Sequence, residues 1–398
     1  TLGCKVNEVE SAQISAELEK RGFQTSDGLS YADIYVLNTC AVTKEAERKS
    51  RQLVARALKF NPAARVYVCG CASQKCAAQF EKEGVCFVGG ARDKQQIVSA
   101  IANDFGGGAC LSLGYPKQFK TRAFIKIEDG CDNFCSYCVI PYLRGRVKSR
   151  SIGDIADEIA KCSSLEIVLT GINISAYGNG NGGLTALIDA LGFTEKRVRL
   201  GSLECNVIDG QFLTALKNLK DFAPQFHLSL QSGSDKVLRA MNRHYTRREY
   251  LEKCSLIYSY FPNGAITTDI IAGFCGETDN DFAESVSIIE EAGFARVHAF
   301  AFSPREGTKA YSMPDLPKEV KSQRLQTLLQ AGKNAEQKYI NNRLGREYAL
   351  ISEEYDGQYT SGYTENYIKA YVAGKCEGKI KVTLQSPFRD GVIATEVE

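Results

Sequence analysis

The chain has 398 residues, 44% of them hydrophobic and 24% charged, the balance of a folded protein of roughly two to three domains, which excludes disordered and fibrous classes. Its 49 Lys and Arg against 47 Asp and Glu leave a net charge of +2, so no global field draws in a polyanion and any nucleic-acid contact must use local patches. No run approaches the ~20 apolar residues of a membrane helix, and Thr1-Leu2-Gly3-Cys4-Lys5 lacks the basic-then-apolar pattern of a signal peptide, so no membrane partner and a cytoplasmic location are expected. The first residue is Thr, not Met, which leaves room for a short leader ahead of it. The 15 Cys are an odd number in a chain large enough to build its own core, which argues for thiolate ligands over disulfides.

In chain order, the sequence predicts a helix from Glu8 to Lys20, a strand Ile34-Tyr35-Val36-Leu37 running into Asn38-Thr39-Cys40, and a charged helix from Lys44 to Lys59. A second short strand, Val66-Tyr67-Val68, runs into Cys69-Gly70-Cys71, and a third, Cys86-Phe87-Val88-Gly89, precedes a helix near Lys94 to Asn103. Strands alternating with helices give an α/β domain on a mostly parallel sheet, here 1–108, with Cys40 and Cys71 at the strand ends where such sheets place their sites. Cys4 occupies a comparable turn before the first helix. The stretch Phe105-Gly106-Gly107-Gly108 marks a boundary, because a Gly run cannot hold a regular element.

Six extended segments with helix-length spacers follow, at Phe124 to Ile127, Ile167 to Thr170, Val198 to Ser202, Phe226 to Leu230, Ile266 to Ala272 and Arg296 to Phe302. They predict a partial (β/α)6 TIM-like barrel over 119–317, open enough to admit a large substrate, with its chemistry at the strand C-terminal ends. Pro304, Pro314 and Pro317 end the pattern, a helix runs from Glu319 to about Asn341 within a 318–342 linker, and 343–398 turns to short alternating segments punctuated by glycine. That last stretch predicts a small C-terminal β-barrel.

The sharpest local signal is Gly130-Cys131-Asp132-Asn133-Phe134-Cys135-Ser136-Tyr137-Cys138, with three thiols in eight residues directly after a strand. Zinc prefers four closed ligands, and the chain has only three His. A 4Fe-4S cluster held by three Cys instead keeps one iron open for an exogenous ligand.

This Cys-x-x-x-Cys-x-x-Cys pattern at the end of the first barrel strand resembles the radical S-adenosylmethionine superfamily, and Tyr137 matches the aromatic position that contacts the cofactor there. The flanks narrow the resemblance: Thr1 to Asn7, Asn38-Thr39-Cys40, Gly70-Cys71, the run Pro141-Tyr142-Leu143-Arg144-Gly145-Arg146 to Ser149-Arg150, and Leu228-Ser229-Leu230-Gln231-Ser232-Gly233-Ser234. Together they are similar to the methylthiotransferases over essentially the whole chain, and the opening Leu-Gly-Cys-Lys-Val-Asn is most similar to their MtaB type.

The resemblance implies a transferase that adds a methylthio group to C2 of N6-threonylcarbamoyladenosine at tRNA position 37. It implies two 4Fe-4S clusters, a radical-generating one on Cys131, Cys135 and Cys138 and an auxiliary one on Cys4, Cys40 and Cys71. Cys69 and Cys76 stand close enough to Cys71 to leave that third ligand open. Two molecules of S-adenosyl-L-methionine are implied per turnover, one a methyl donor and one a radical source, with flavodoxin or ferredoxin as reducing partner. Contacts to S-adenosylmethionine are implied at Tyr137, Gly171, Asn173, Ser202, Glu204, Gln231 and Gly273. Cys205 and Cys275 stand where the family pattern usually has Pro, and Arg305, in Ser303-Pro304-Arg305-Glu306-Gly307-Thr308, is a candidate catalytic cation.

The C-terminal barrel resembles a TRAM domain, an RNA-binding module. From Ala331 onward it has nine Lys and Arg against ten Asp and Glu, which leaves Tyr359, Tyr363, Tyr367 or Tyr371 as stacking candidates. Two basic runs are candidate phosphate contacts, Arg144, Arg146, Lys148 and Arg150, and Arg243, His244, Arg247 and Arg248. Rival functions are methylthiotransfer to isopentenyladenosine in tRNA, methylthiotransfer to an aspartate of a ribosomal protein, and a non-catalytic RNA-binding protein with structural zinc.

Overall fold

The computed structural model describes residues 1–106, 110, 113–116, 121–180 and 182–397. Gly107 and Gly108 of the expected boundary, and position 119 where the second domain is expected to open, lie outside the described residues. By its contacts the chain divides into two compact units, one of Thr1–Gln118, Asp129–Lys148 and Ser303–Tyr311, the other of Phe119–Glu128, Ser149–Phe302 and Ser312–Glu398.

The first unit is built on a three-stranded parallel sheet in chain order, Ile34–Thr39, Arg65–Gly70 and Val85–Val88. Val66, Tyr67, Val68 and Cys69 of the middle strand are all fully buried, as a parallel strand covered on both faces must be. Helices Lys5–Lys20, Lys44–Phe60 and Lys94–Asp104 accompany the sheet. Lys44–Phe60 starts where the Thr43 hydroxyl accepts from Ala46 N at 3.0 Å, and it buries Ser50, Val54 and Ala57, four and three residues apart, which is one helical face. Val139, which caps the helix Ile140–Arg144, and Leu143 within it join Leu37, Val54, Val66 and Cys71 in one apolar cluster. That burial seats the segment carrying Cys131, Cys135 and Cys138 against the first sheet.

The second unit carries the expected barrel strands as two parallel sheets. Arg122–Lys126, Glu166–Thr170 and Arg197–Leu200 form one, and Ser202–Leu203, Gln225–Leu228, Ala265–Ala272 and Arg296–Ala301 form the other. Among the described residues no pairing joins Arg122–Lys126 to Arg296–Ala301, so the barrel stays open. Its core runs from Ala123 and Ile125 through Leu169, Phe226 and Ile270 to Leu328 of the helix Lys318–Asn341.

The C-terminal stretch is a closed five-stranded barrel of Glu347–Tyr355, Tyr359–Thr364, Lys369–Ala373, Gly391–Glu396 and Lys379–Phe388, in that spatial order. Inward residues alternate along each strand, with Leu350, Val372, Leu384 and Val392 in the core. No helix among the described residues is long and apolar enough to cross a membrane.

Candidate metal centres and cofactor site

Cys4 caps the start of the helix Lys5–Lys20, Cys40 directly follows the first strand, and Cys71 directly follows the second. The first two strands pair in parallel with Thr39 opposite Gly70, so Cys40 and Cys71 leave neighbouring strand ends together. Gly3 brings the Cys4 turn onto the same place, since a Cβ on Gly3 would stand 2.9 Å from Cys40 Cβ and 3.0 Å from its Sγ. Asn7 locks the arrangement by donating through Nδ2 to Leu2 O at 2.8 Å and Thr39 O at 3.1 Å. Asn38 returns a bond from Nδ2 to Asn7 O at 3.0 Å, and the Ser50 hydroxyl accepts from Cys40 N at 3.1 Å. Leu-Gly-Cys-Lys-Val-Asn and Asn-Thr-Cys are therefore one hydrogen-bonded structure.

Cys40 and Cys71 both feel the charge of neighbouring thiols. Burial is the largest influence on Cys40 and pushes its thiol up; the Val42 backbone opposes it, and Cys71 and then Cys4 push it further. Cys71 is also raised first by burial, and Arg144 pulls it back down, with Nε donating to Cys71 Sγ at 3.3 Å. Cys69 belongs elsewhere, because its Sγ accepts from Lys94 Nζ at 3.4 Å and it packs with Ile14, Ile97 and Ile101.

The second trio sits on a loop held at both ends. Cys131 N donates to Gly145 O at 3.0 Å, Cys138 N donates to Cys135 O at 2.9 Å, and Ser136 O accepts from Ala310 N at 2.7 Å. Cys135 is buried, while Cys131, Tyr137 and Cys138 are half-buried. Among the described residues no three His, Cys, Asp or Glu meet as the ligands of one metal ion. A four-iron cluster takes each thiolate on a different iron, so three thiols from separate loops or one short loop suit it as donors.

Arg305 lies in the same unit and is 4% exposed, so it is not a surface cation. One of its terminal nitrogens, Nη2, donates to Ala41 O and to Glu47, which also pairs with Lys75 at 3.0 Å. Arg305 Nε and Nη1 are buried without a partner among the described residues. Orphaned guanidinium donors are costly, and they suit an anionic or sulfur acceptor next to the Cys40 loop.

The candidate S-adenosylmethionine contacts other than Tyr137 fall in the second unit, at the C-terminal ends of its parallel strands. Gly171 and Asn173 follow Glu166–Thr170, and a Cβ on Gly171 would come within 2.8 Å of Glu128 Cδ. The buried Glu128 also accepts from Asn173 N. Ser202 is exposed, and Glu204 is paired with Arg243, which is 7% exposed and lies 5.1 Å from the Tyr245 ring centroid. Gln231 has φ 73° and bridges to Ile270, and Gly273 N donates to Glu277 at 2.9 Å. Cys205, raised to about 12 by burial, and Cys275 are both buried thiols.

Two expectations about RNA contacts change. Arg144 and Arg243 are buried in ion pairs with Glu10 and Glu204, and Arg247 is bound to Glu291 at 2.6 Å, which leaves Arg146, Lys148, His244 and Arg248 as the exposed members of the two basic runs. Tyr363 and Tyr367 stack on each other at 4.7 Å, with Arg122 5.3 Å from the first ring and Arg199 4.9 Å from the second. They fasten the C-terminal barrel to strands Arg122–Lys126 and Arg197–Leu200. Tyr371 is buried and bonded to Asp390, which leaves Tyr359, half-buried beside the exposed Arg389, as the remaining stacking candidate. Glu10, Glu128 and Asp129 were not singled out from the sequence; a helix placing Asn7 and Glu10 three residues apart on a buried face was the available signal.

Two family models match the chain, one described as "Uncharacterized protein family UPF0004" over residues 1–89 and one as "Radical SAM superfamily" over residues 125–289. The chain is 35% identical over 371 residues to a protein of Chlamydia pneumoniae named threonylcarbamoyladenosine tRNA methylthiotransferase MtaB, covering 90% of this chain and 86% of the relative. It is 36% identical over 377 residues to a protein of the same name from Thermotoga maritima, covering 89% and 86%. A tRNA-2-methylthio-N(6)-dimethylallyladenosine synthase of Fervidobacterium nodosum is 34% identical over 382 residues, again covering 89% and 86%. Among solved structures, the radical S-adenosylmethionine methyltransferase TsrM of Kitasatospora setae, with cobalamin and a 4Fe-4S cluster bound, matches with a TM-score of 0.55 at 14% identity, covering 76% of this chain and 73% of that one. That last likeness is one of fold.

Proposed function

The chain belongs to the radical S-adenosylmethionine methylthiotransferases, in their MtaB type, and from that premise we propose that it adds a methylthio group to C2 of N6-threonylcarbamoyladenosine at position 37 of tRNA. The observation that carries the proposal is the gathering of two thiol trios, Cys4, Cys40 and Cys71 with Cys131, Cys135 and Cys138, in one compact unit. When bound, the two 4Fe-4S clusters and S-adenosylmethionine supply a deoxyadenosyl radical and a methylated sulfur. An aromatic C2–H is inert to ordinary acid-base groups at neutral pH, and the chain offers three His and no paired-carboxylate motif in their place.

The residues have separate tasks. Cys131, Cys135 and Cys138 hold the radical-generating cluster, and Cys4, Cys40 and Cys71 hold the auxiliary one. Tyr137, Gly171, Asn173, Ser202, Glu204, Gln231 and Gly273 contact S-adenosylmethionine, with Arg243 fixing the Glu204 carboxylate and Glu128 fixing the Asn173 backbone. Arg305 contributes a fixed cation beside the Cys40 loop, its two orphaned nitrogens reserved for a reacting group. The C-terminal barrel helps to hold tRNA. A flavodoxin or ferredoxin supplies electrons, and the cytoplasm, where its tRNA substrate resides, is the site of action.

Mass analysis of nucleosides tests this reading on tRNA carrying or lacking threonylcarbamoyladenosine. Methylthiolated threonylcarbamoyladenosine is expected only with the first. Product on isopentenyladenosine instead would move the chain to the activity named for the Fervidobacterium nodosum relative. Changing Cys4, Cys40 or Cys71 to Ala should stop methylthiolation and spare deoxyadenosine formation, whereas changing Cys131, Cys135 or Cys138 should abolish both.

A further inference from the structure

Arg144 is the last residue of the short helix that follows the Cys131 to Cys138 loop, and it is 2% exposed. Its five N–H donors all find acceptors within the first unit. Nε donates to Cys71 Sγ at 3.3 Å. Nη1 donates to Glu10 Oε1 at 2.8 Å and Asp129 Oδ2 at 3.0 Å. Nη2 donates to Asn7 Oδ1 at 2.8 Å and Glu10 Oε2 at 3.2 Å. The backbone is pinned as well, since Arg92 Nε donates to Arg144 O at 2.9 Å.

Those acceptors have a common meaning. Cys71 is a ligand of the auxiliary cluster, Asn7 and Glu10 lie on the helix that Cys4 caps, and Asp129 stands two residues before Cys131. A single guanidinium therefore ties one cluster's thiolate, the helix that presents a second thiolate, and the root of the other cluster's loop. A cation this deeply buried must have strong partners, and only the planar fork of Arg can serve so many at once. Hydrogen bonds to ligand sulfur and nearby charge are what set the potential of an iron–sulfur cluster. A donor aimed at a thiolate stabilises the more negative, reduced state most.

We propose that Arg144 is the positioning residue of the auxiliary cluster: its Nε bond to Cys71 raises that cluster's reduction potential, and the nearby Glu10 carboxylate lowers it. The proposal rests on the reading of Cys4, Cys40 and Cys71 as cluster ligands. Arg144 is buried and acts on the cluster through the Cys71 sulfur. Lys94, 3.4 Å from Glu10, also faces this carboxylate.

The test is an electron paramagnetic resonance titration of the full-length chain with Cys131, Cys135 and Cys138 changed to Ala, so that the signal comes from the auxiliary cluster alone. Arg144→Lys keeps the charge but loses the fork, and its midpoint potential is expected to fall. Glu10→Gln removes a negative charge and leaves the Nε bond in place, and its potential is expected to rise. Should Arg144→Lys not retain iron, the sign measured in Glu10→Gln decides alone. Unchanged potentials in variants that keep their iron would overturn the proposal and leave the cluster reading intact. Absence of iron from the background chain with Arg144 and Glu10 both native would overturn the reading and the proposal together.

Discussion

Gly70 shows how much of the auxiliary site depends on one backbone conformation. Its φ is 114°, and a Cβ there would stand 2.5 Å from Thr39 N and 2.7 Å from Asn38 Oδ1, so any side chain must push the two strand ends apart. Gly70→Ala should cost about 1–3 kcal/mol of local strain. Iron analysis is expected to fall from about eight to about four per chain in this variant, with deoxyadenosine still formed; retention of all the iron would contradict the tight-turn explanation. At this scale the Cys131 to Cys138 trio was legible because its spacing is local. Arg144 was not, because its partners Glu10 and Cys71 lie 134 and 73 residues away in sequence, and a run of Arg and Lys looks like a solvated patch until its acceptors are known. Cys69 and Cys71, two residues apart, are not separable by spacing; Lys94 beside Cys69 and Arg144 beside Cys71 give them different surroundings.

Among the elements, strands and helices with strong periodicity were legible to within a few residues. Lys94–Asp104 and Lys318–Asn341 end within a residue of the positions expected from apolar spacing and proline breaks. Less legible were the strands Tyr359–Thr364 and Gly391–Glu396 of the small barrel. The first carries Gly362, where a Cβ would stand 2.9 Å from Ile351 C, so close cross-strand packing appears in the sequence as a turn residue. The helix Asp279–Glu291 is stabilised by a reciprocal cap, with the Thr278 hydroxyl accepting from Asp281 N at 3.3 Å and Thr278 N donating to Asp281 Oδ2 at 2.8 Å. Thr278→Ala is expected to cost about 1 kcal/mol, seen as roughly fivefold faster amide hydrogen exchange along this helix. Burial alone would raise Asp281; bonds from Lys236, Thr278 and Ser234 outweigh it and hold the carboxyl well below its usual range. Its contribution is therefore full above about pH 3.9 and is lost as pH falls through the lower folded value. The exchange penalty of Asp281→Asn should shrink in acid accordingly, and a penalty that grows there would refute the assignment of Asp281 as the charged half of the cap.

For the molecule as a whole, the order of α/β domain, open barrel and small β-barrel was legible because each stretch changes its periodicity. The grouping of residues 129–148 and 303–311 with the first unit was not. Residues 129–148 join it through the burial of Val139 and Leu143 against the first sheet's core, and 303–311 through Arg305 bonded to Ala41 and Glu47 and Ala310 N bonded to Ser136 O; no local pattern announces which of two cores an apolar pair will join. One consequence is that all six proposed ligand cysteines and Arg305 share one compact unit, while the proposed S-adenosylmethionine contacts other than Tyr137 and the small barrel belong to the second. The most direct measurement of the central claim is iron and sulfide content per chain after anaerobic reconstitution, in the native chain and in the Cys131, Cys135 and Cys138 triple Ala variant. Two four-iron clusters require about eight irons, falling to about four in the variant. About four irons in the native chain, all lost in the variant, would mean that Cys4, Cys40 and Cys71 hold no cluster, and methylthiolation would lose its sulfur site.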